Sequence, residues 1–144
     1  MDDRKSTSGF VFIMVSRAIS WISKKQLVLS LSTIKAEYIA TALCACHCVW
    51  LRRILEQLGV AERGSTKIHC DNNSTIQLSK KFCFPWTMQA FWSKISFLRV
   101  NDGTVKLRFC SSEEQIVDIM LKSLKLEQFM KFCRMLGVIN TIEV

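Results

Sequence analysis

Thr66-Lys67-Ile68-His69-Cys70-Asp71-Asn72-Asn73-Ser74 couples a strand to a helix through one acid and two asparagines. Residues 66–70 read as a short strand that ends directly before Asp71, a good place from which to project a metal ligand. A helix is expected over 72–81, with Asn72 or Asn73 as its cap, because an asparagine oxygen there accepts a bond from an unpaired backbone N–H. Upstream, residues 9–14 and 18–22 are short, β-branched and aromatic, and Val15-Ser16-Arg17 connects them into a hairpin. Residues 27–31 have the same character after the polar Ser23-Lys24-Lys25-Gln26, so a three-stranded meander is predicted. The pattern then changes. Residues 33–58 lack Gly and Pro and carry Leu43, Trp50, Ile54 and Leu58 at helical spacing, with Gly59 where a helix end favours positive φ. Residues 61–65 form a loop.

Downstream, Asn101-Asp102-Gly103 is a turn signal leading into a strand over 104–110. Ser111-Ser112-Glu113-Glu114 caps and charges the start of a helix carrying Ile116, Ile119 and Met120, and Asp118 falls inside it. A last helix covers 126–136 and ends at Gly137. No internal repeat or low-complexity tract interrupts this order. Strands first and βα units afterwards describe the α/β class, a mixed sheet with helices on its faces.

At 144 residues, with 49% apolar content, the expectation is a single domain over 1–144 with a sizeable core. Twenty Lys and Arg against twelve Asp and Glu leave a charge of +8, which favours a polyanionic partner such as nucleic acid; scattered surface charge is the plainer account. Seven cysteines, an odd number without a secretory signal, point to reduced thiols in an intracellular compartment, cytoplasmic or nuclear. The apolar run over 10–15 is too short for a signal peptide. The run over 39–51 is broken by Thr41 and His47 and falls short of the roughly 20 residues of a spanning helix, so no membrane segment is expected.

Three acids stand far apart in distinctive settings: Glu37 in Ser32-Thr33-Ile34-Lys35-Ala36-Glu37-Tyr38, Asp71 after Cys70, and Asp118 in Val117-Asp118-Ile119-Met120-Leu121-Lys122. Carboxylates gathered from separate elements are how proteins hold paired Mg²⁺ or Mn²⁺ ions for phosphodiester chemistry, although a lone acid is usually a solvated surface residue. With Asp2-Asp3-Arg4-Lys5-Ser6-Thr7-Ser8-Gly9-Phe10, Ala18-Ile19-Ser20-Trp21 and Ser23-Lys24-Lys25-Gln26, these passages resemble the ribonuclease H domain of copia-type retrotransposon Pol polyproteins. The likeness runs in order from Asp2 to about Val138, and several motifs agree in spacing.

The resemblance implies a ribonuclease H-like mixed sheet with flanking helices, and hydrolysis of the RNA strand of RNA·DNA hybrids with two divalent metals. It implies that Glu37, Asp71 and Asp118 are catalytic and metal-binding, and that a reverse transcriptase domain is a neighbour. It also implies four carboxylates, the first on a central strand upstream of Met1. The expectation is therefore an N-terminally truncated domain, its first strand missing, with impaired activity. The alternative is a catalytically dead nucleic-acid-binding remnant or a non-functional transposon fragment. Rescue by Asp2 or Asp3 would need the terminus to fold back. The family's basic, histidine-containing passage is replaced over 84–96 by one with Trp86 and Trp92 and no histidine. Lys35 stands where an acid is common, and Leu121 where a threonine precedes Lys122.

Other groupings weigh less. Cys44-Ala45-Cys46-His47-Cys48 invites a zinc reading, but on a helix Cys44 and Cys48 share a face that Cys46 does not, so packing of small residues is the plainer account. His69 is a candidate base beside Asp71 or a solvent-facing strand residue. Lys24, Lys25, Arg52, Arg53, Lys80 and Lys81 can grip phosphates or simply be solvated. Trp86, Phe91 and Trp92 can stack on bases or pack in a core.

Overall fold

The hairpin expected of the β-branched and aromatic residues 9–14 and 18–22 forms and extends beyond them: β1 (Thr7–Met14) pairs antiparallel with β2 (Arg17–Lys25), Phe10 facing Ile22 and Val11 facing Trp21. The computed structural model describes residues 6–26, 33–60, 63–80, 100 and 102–138. The chain then forms α1 (Thr33–Gln57), β3 (Thr66–Cys70), α2 (Asn73–Lys80), β4 (Val105–Phe109), a 3₁₀ turn (Ile116–Met120) and α3 (Leu126–Met135). This is a mixed α/β arrangement with small sheets. Among the described residues β1 pairs with β2, and β3 pairs with β4 in parallel. The strand predicted over 27–31 and the passage over 84–96 lie outside the described residues. Contacts group into two units, Met1–Leu29 with Ser112–Val144, and Ser30–Ser111.

In the first unit the hairpin turns through Val15 and Ser16, both at positive φ (49° and 62°). That twist suits a two-residue hairpin, although neither residue favours it as Asn or Gly would. Phe10 is buried with Phe12 edge-on to it, ring centres 5.7 Å apart. On the other face, Gly9 leaves room for Val117 and Leu121, since a Cβ there would lie 2.9 Å from Leu121 Cδ2 and 3.0 Å from the Ile22 carbonyl. Ser23 Oγ donates to the Met120 carbonyl at 3.0 Å, so the 3₁₀ turn lies along this face.

That turn corrects the sequence reading. An α-helix capped from Ser111 and Ser112 was expected around Asp118; the structure has five residues of 3₁₀ helix whose N-cap is Gln115, without a side-chain capping bond. Contact of Val117 and Leu121 with Gly9 sets the local geometry, and tertiary packing of this kind overrides weak propensity.

α3 places Phe132 in full burial and Leu136 close to it. Its end is tied to β2, the Ala18 N–H donating to the Leu136 carbonyl at 3.1 Å. Gly137, where the helix was expected to stop, has φ +73°. A Cβ there would sit 2.9 Å from Arg17 Cγ, which can move, and 3.0 Å from the Ser16 carbonyl, which is backbone. Gly137→Ala is therefore expected to cost about 1–3 kcal/mol, read as a lower urea midpoint at an unchanged slope.

In the second unit α1 packs on β3 and α2. It buries Ala36, Tyr38, Thr41, Ala42, Cys44, Ala45 and Cys48. By length and composition alone α1 could cross a membrane, with a third (33%) of its most apolar window buried. It closes at Gly59 (φ +77°), where the N–H of Val60 reaches the Leu55 carbonyl at 2.8 Å and that of Gly59 the Glu56 carbonyl at 3.0 Å, satisfying last-turn acceptors. The parallel ladder sets Ile68 beside Leu107 and Cys70 beside Phe109. Asn72 is the residue that caps α2, its Oδ1 accepting from the Thr75 N–H at 3.2 Å.

Candidate metal-binding carboxylates

Asp71 follows the last residue of β3 and precedes the capping Asn72, so strand and helix start hold it from both sides. Glu37 stands in the second turn of α1. From it runs a stripe at helical spacing, Thr41, Cys44 and Cys48, all buried. The stripe meets the end of β3. Burial pushes the Cys70 thiol up, and the negative charges of Glu37 and Asp71 add to the effect, while hydrogen bonds with the Asn72 backbone and the Thr41 side chain pull it back in part.

The same neighbourhood raises Cys44, by burial first and then by Cys48, Cys70 and Cys46. Such thiols stay protonated at neutral pH and behave as small packing groups, in agreement with the plainer account of the cysteine cluster. His47 rests against the ring of Trp50 at 5.1 Å, and burial lowers its pKa.

Asp118 belongs to the other unit. It is 6% exposed, buried inside the 3₁₀ turn. Its N–H donates to the Gln115 carbonyl at 3.1 Å, and its own carbonyl accepts from the Leu121 and Lys122 N–H groups, each at 3.1 Å. Oδ2 lies 2.6 Å from Lys122 Nζ. The same oxygen takes no hydrogen bond. At that separation only angle can exclude one, so the contact is an ion pair by proximity rather than an aligned bond.

Of the three acids predicted from sequence, Glu37 and Asp71 lie in the second unit, where the charge of each bears on the Cys70 thiol, while Asp118, in the first, is held by backbone and Lys122. Among the described residues no group of three or more His, Cys, Asp or Glu side chains is placed to hold a metal ion. Two participants escaped the sequence reading as partners: Thr41, whose side chain bonds the Cys70 thiol across elements, and Lys122, four residues after Asp118. That spacing on a helical turn was the signal available. His69 is exposed on β3, in register with Arg108. Arg52 Nη1 donates to Thr66 Oγ1 at 2.8 Å, whereas Lys24, Lys25, Arg53 and Lys80 are exposed. Lys81, Trp86, Phe91 and Trp92 lie outside the described residues.

The chain is 33% identical over 131 residues to the retrovirus-related Pol polyprotein from transposon TNT 1-94 of Nicotiana tabacum, covering 90% of this chain and 10% of that protein. It is 31% identical over 141 residues, 96% of its length, to the corresponding polyprotein from transposon RE2 of Arabidopsis thaliana. The chain is homologous to a piece of transposon Pol polyproteins. A third such polyprotein, from transposon RE1 of Arabidopsis thaliana, is 30% identical over 139 residues. The chain spans 10% of the length of each of these three Pol polyproteins. No family model and no solved structure matches it. The sequence likeness to a copia-type Pol polyprotein is thereby supported at the level of the polyprotein.

Proposed function

We propose that this chain is the ribonuclease H-type piece of a retrotransposon Pol polyprotein, cleaving the RNA strand of RNA·DNA hybrids with carboxylate-held Mg²⁺ or Mn²⁺. The observation that carries the reading is the place of Asp71 at the end of the parallel strand β3, directly before the capped start of α2, in a chain homologous to transposon Pol polyproteins.

The donor chemistry fits the proposed ions. Hard divalent cations prefer carboxylate oxygens, and Mg²⁺ is commonly held by one or two carboxylates together with substrate phosphates. When bound, the metal supplies Lewis-acid stabilisation of charge developing on the phosphate. Glu37 and Asp71 would hold it, and Cys70, kept as a neutral thiol, would add no competing soft anion. Exposed Lys24, Lys25, Arg53 and Lys80 meet backbone phosphates, which makes affinity fall with salt. The setting in this reading is intracellular, with a reverse transcriptase domain supplying the hybrid.

A second reading, hybrid binding without cleavage, is favoured by one feature: Asp118 is already paired with Lys122. The deciding experiment offers the folded chain an end-labelled RNA·DNA hybrid, duplex RNA and duplex DNA, in Mg²⁺ and then Mn²⁺. The proposal expects metal-dependent cuts in the RNA of the hybrid alone. Salt-sensitive binding without cuts leaves the second reading, and cleavage of all three duplexes overturns the hybrid specificity.

A further inference from the structure

We propose that the exposed face of the sheet formed by β3 and β4 grips the phosphate backbone of a nucleic-acid duplex through Lys67, Lys106 and Arg108; this rests on the nucleic-acid partner of the reading above and not on its metal. The two strands run in parallel, so residues paired across the ladder point to the same face. Ile68 and Cys70 of β3 and Val105 of β4 are buried on one face, and α1 and α2 pack against these strands. On the opposite face Lys67 stands beside Lys106 and His69 beside Arg108, all four exposed. Neither strand carries an acid. The face runs up to Asp71, the residue that follows β3.

Two features point to an anionic occupant. Parallel sheets are ordinarily covered on both faces, whereas here one face is exposed and cationic. Like charges directly opposite on neighbouring strands are destabilising, and Lys67 and Lys106 form such a pair. An anion laid across them turns that repulsion into attraction. Neighbouring strands lie about 4.8 Å apart and alternate residues of one strand about 6.7 Å apart, so the three cations form one compact patch rather than a scatter. A duplex presents one phosphate charge per about 1.7 Å of its axis, dense enough to engage all three together. Contacts of this kind hold and orient a backbone without reading its bases. Because β3 ends at Asp71, a backbone held along this strand lies beside the proposed chemistry.

The test follows binding of a labelled RNA·DNA hybrid to the full chain by fluorescence anisotropy, in EDTA so that no cleavage occurs, over a series of salt concentrations. The triple variant Lys67→Gln, Lys106→Gln, Arg108→Gln is expected to bind at least about tenfold more weakly at about 0.1 M salt, and to reduce the slope of log K against log[salt] by about 2 to 3. It should melt no earlier than the parent, since a repulsive pair has been removed. The charge-keeping triple Lys67→Arg, Lys106→Arg, Arg108→Lys should bind within about twofold of the parent, because phosphate contacts need the charge rather than one side chain. Glutamine at the exposed Lys125, Lys131 and Arg134 of the first unit removes the same net charge and should reduce the slope by less than about 1. Lys106→Gln alone, expected to reduce it by about 1, decides the matter should the triple variant not fold. An unchanged slope in the glutamine variants of this face, or an equal fall in the first-unit control, overturns the face as a binding site and leaves the proposed function standing. A folded parent that binds no nucleic acid overturns the hybrid reading and this inference together.

Discussion

Asp71→Asn is expected to lower the rate of hybrid cleavage at least about a hundredfold while leaving the melting temperature nearly unchanged, because removing one member of a catalytic set costs orders of magnitude in rate. The two readouts separate for structural reasons. The substitution is isosteric, and the helix start beside it is capped by Asn72 rather than by Asp71. Asp71 is only half-buried. What disappears is a negative charge acting at Cys70, one of the two that Glu37 and Asp71 supply there. Glu37→Gln removes the other and should show the same split between rate and stability. Removing either charge also lowers the Cys70 pKa, although burial, the larger cause, keeps the thiol protonated at neutral pH. Initial rates on a labelled hybrid, with a thermal melt of each variant, check the result. Rates within twofold of the parent for both variants would remove the pair from the chemistry.

The parts of this molecule that could be read in advance are those set by local signals. Residues 33–57 form a helix because nothing in them breaks one, and Gly59 ends it with the positive φ its position foretold. The strand over 66–70 was equally plain, and the cap was narrowed to Asn72 or Asn73, of which Asn72 supplies the oxygen three residues before the Thr75 N–H. The hairpin turn was harder. Val15 and Ser16 give no sign of the left-handed backbone they adopt, because strand pairing imposes it from outside. Asp118 shows the same limit: its segment has a helical composition, and contact with Gly9 makes it a 3₁₀ turn instead. At the site, motif context picked out Glu37, Asp71 and Asp118 one at a time. That Glu37 bears on Cys70, as the adjacent Asp71 does, depends on α1 packing against β3, a tertiary fact that no spacing encodes. The partnership of Asp118 with Lys122 was within reach of spacing alone, and was passed over because the lysine stood in a motif read for its acid.

Phe132→Ala is expected to be the most destabilising single change among those considered, costing about 3–5 kcal/mol, the range for removing a buried aromatic ring and leaving its cavity. Phe132 is 0% exposed. Around it, the described residues of the first unit bury Phe10 and Leu136 as their other large apolar side chains. With so few anchors one ring is a large share of the packing, and native proteins have only about 5–15 kcal/mol in all. The loss should also reach Asp118, because α3 packs against the 3₁₀ turn that carries it. Phe129→Ala is the matched control, on the same helix but 43% exposed, and should cost well under half as much, since much of its ring remains in water in the folded state. Urea unfolding of both variants, followed by far-UV circular dichroism, gives the comparison. Equal losses would contradict the packing described, because they would mean that α3 turns a different face inward and that the 3₁₀ turn beneath it is held by something other than the Phe132 side.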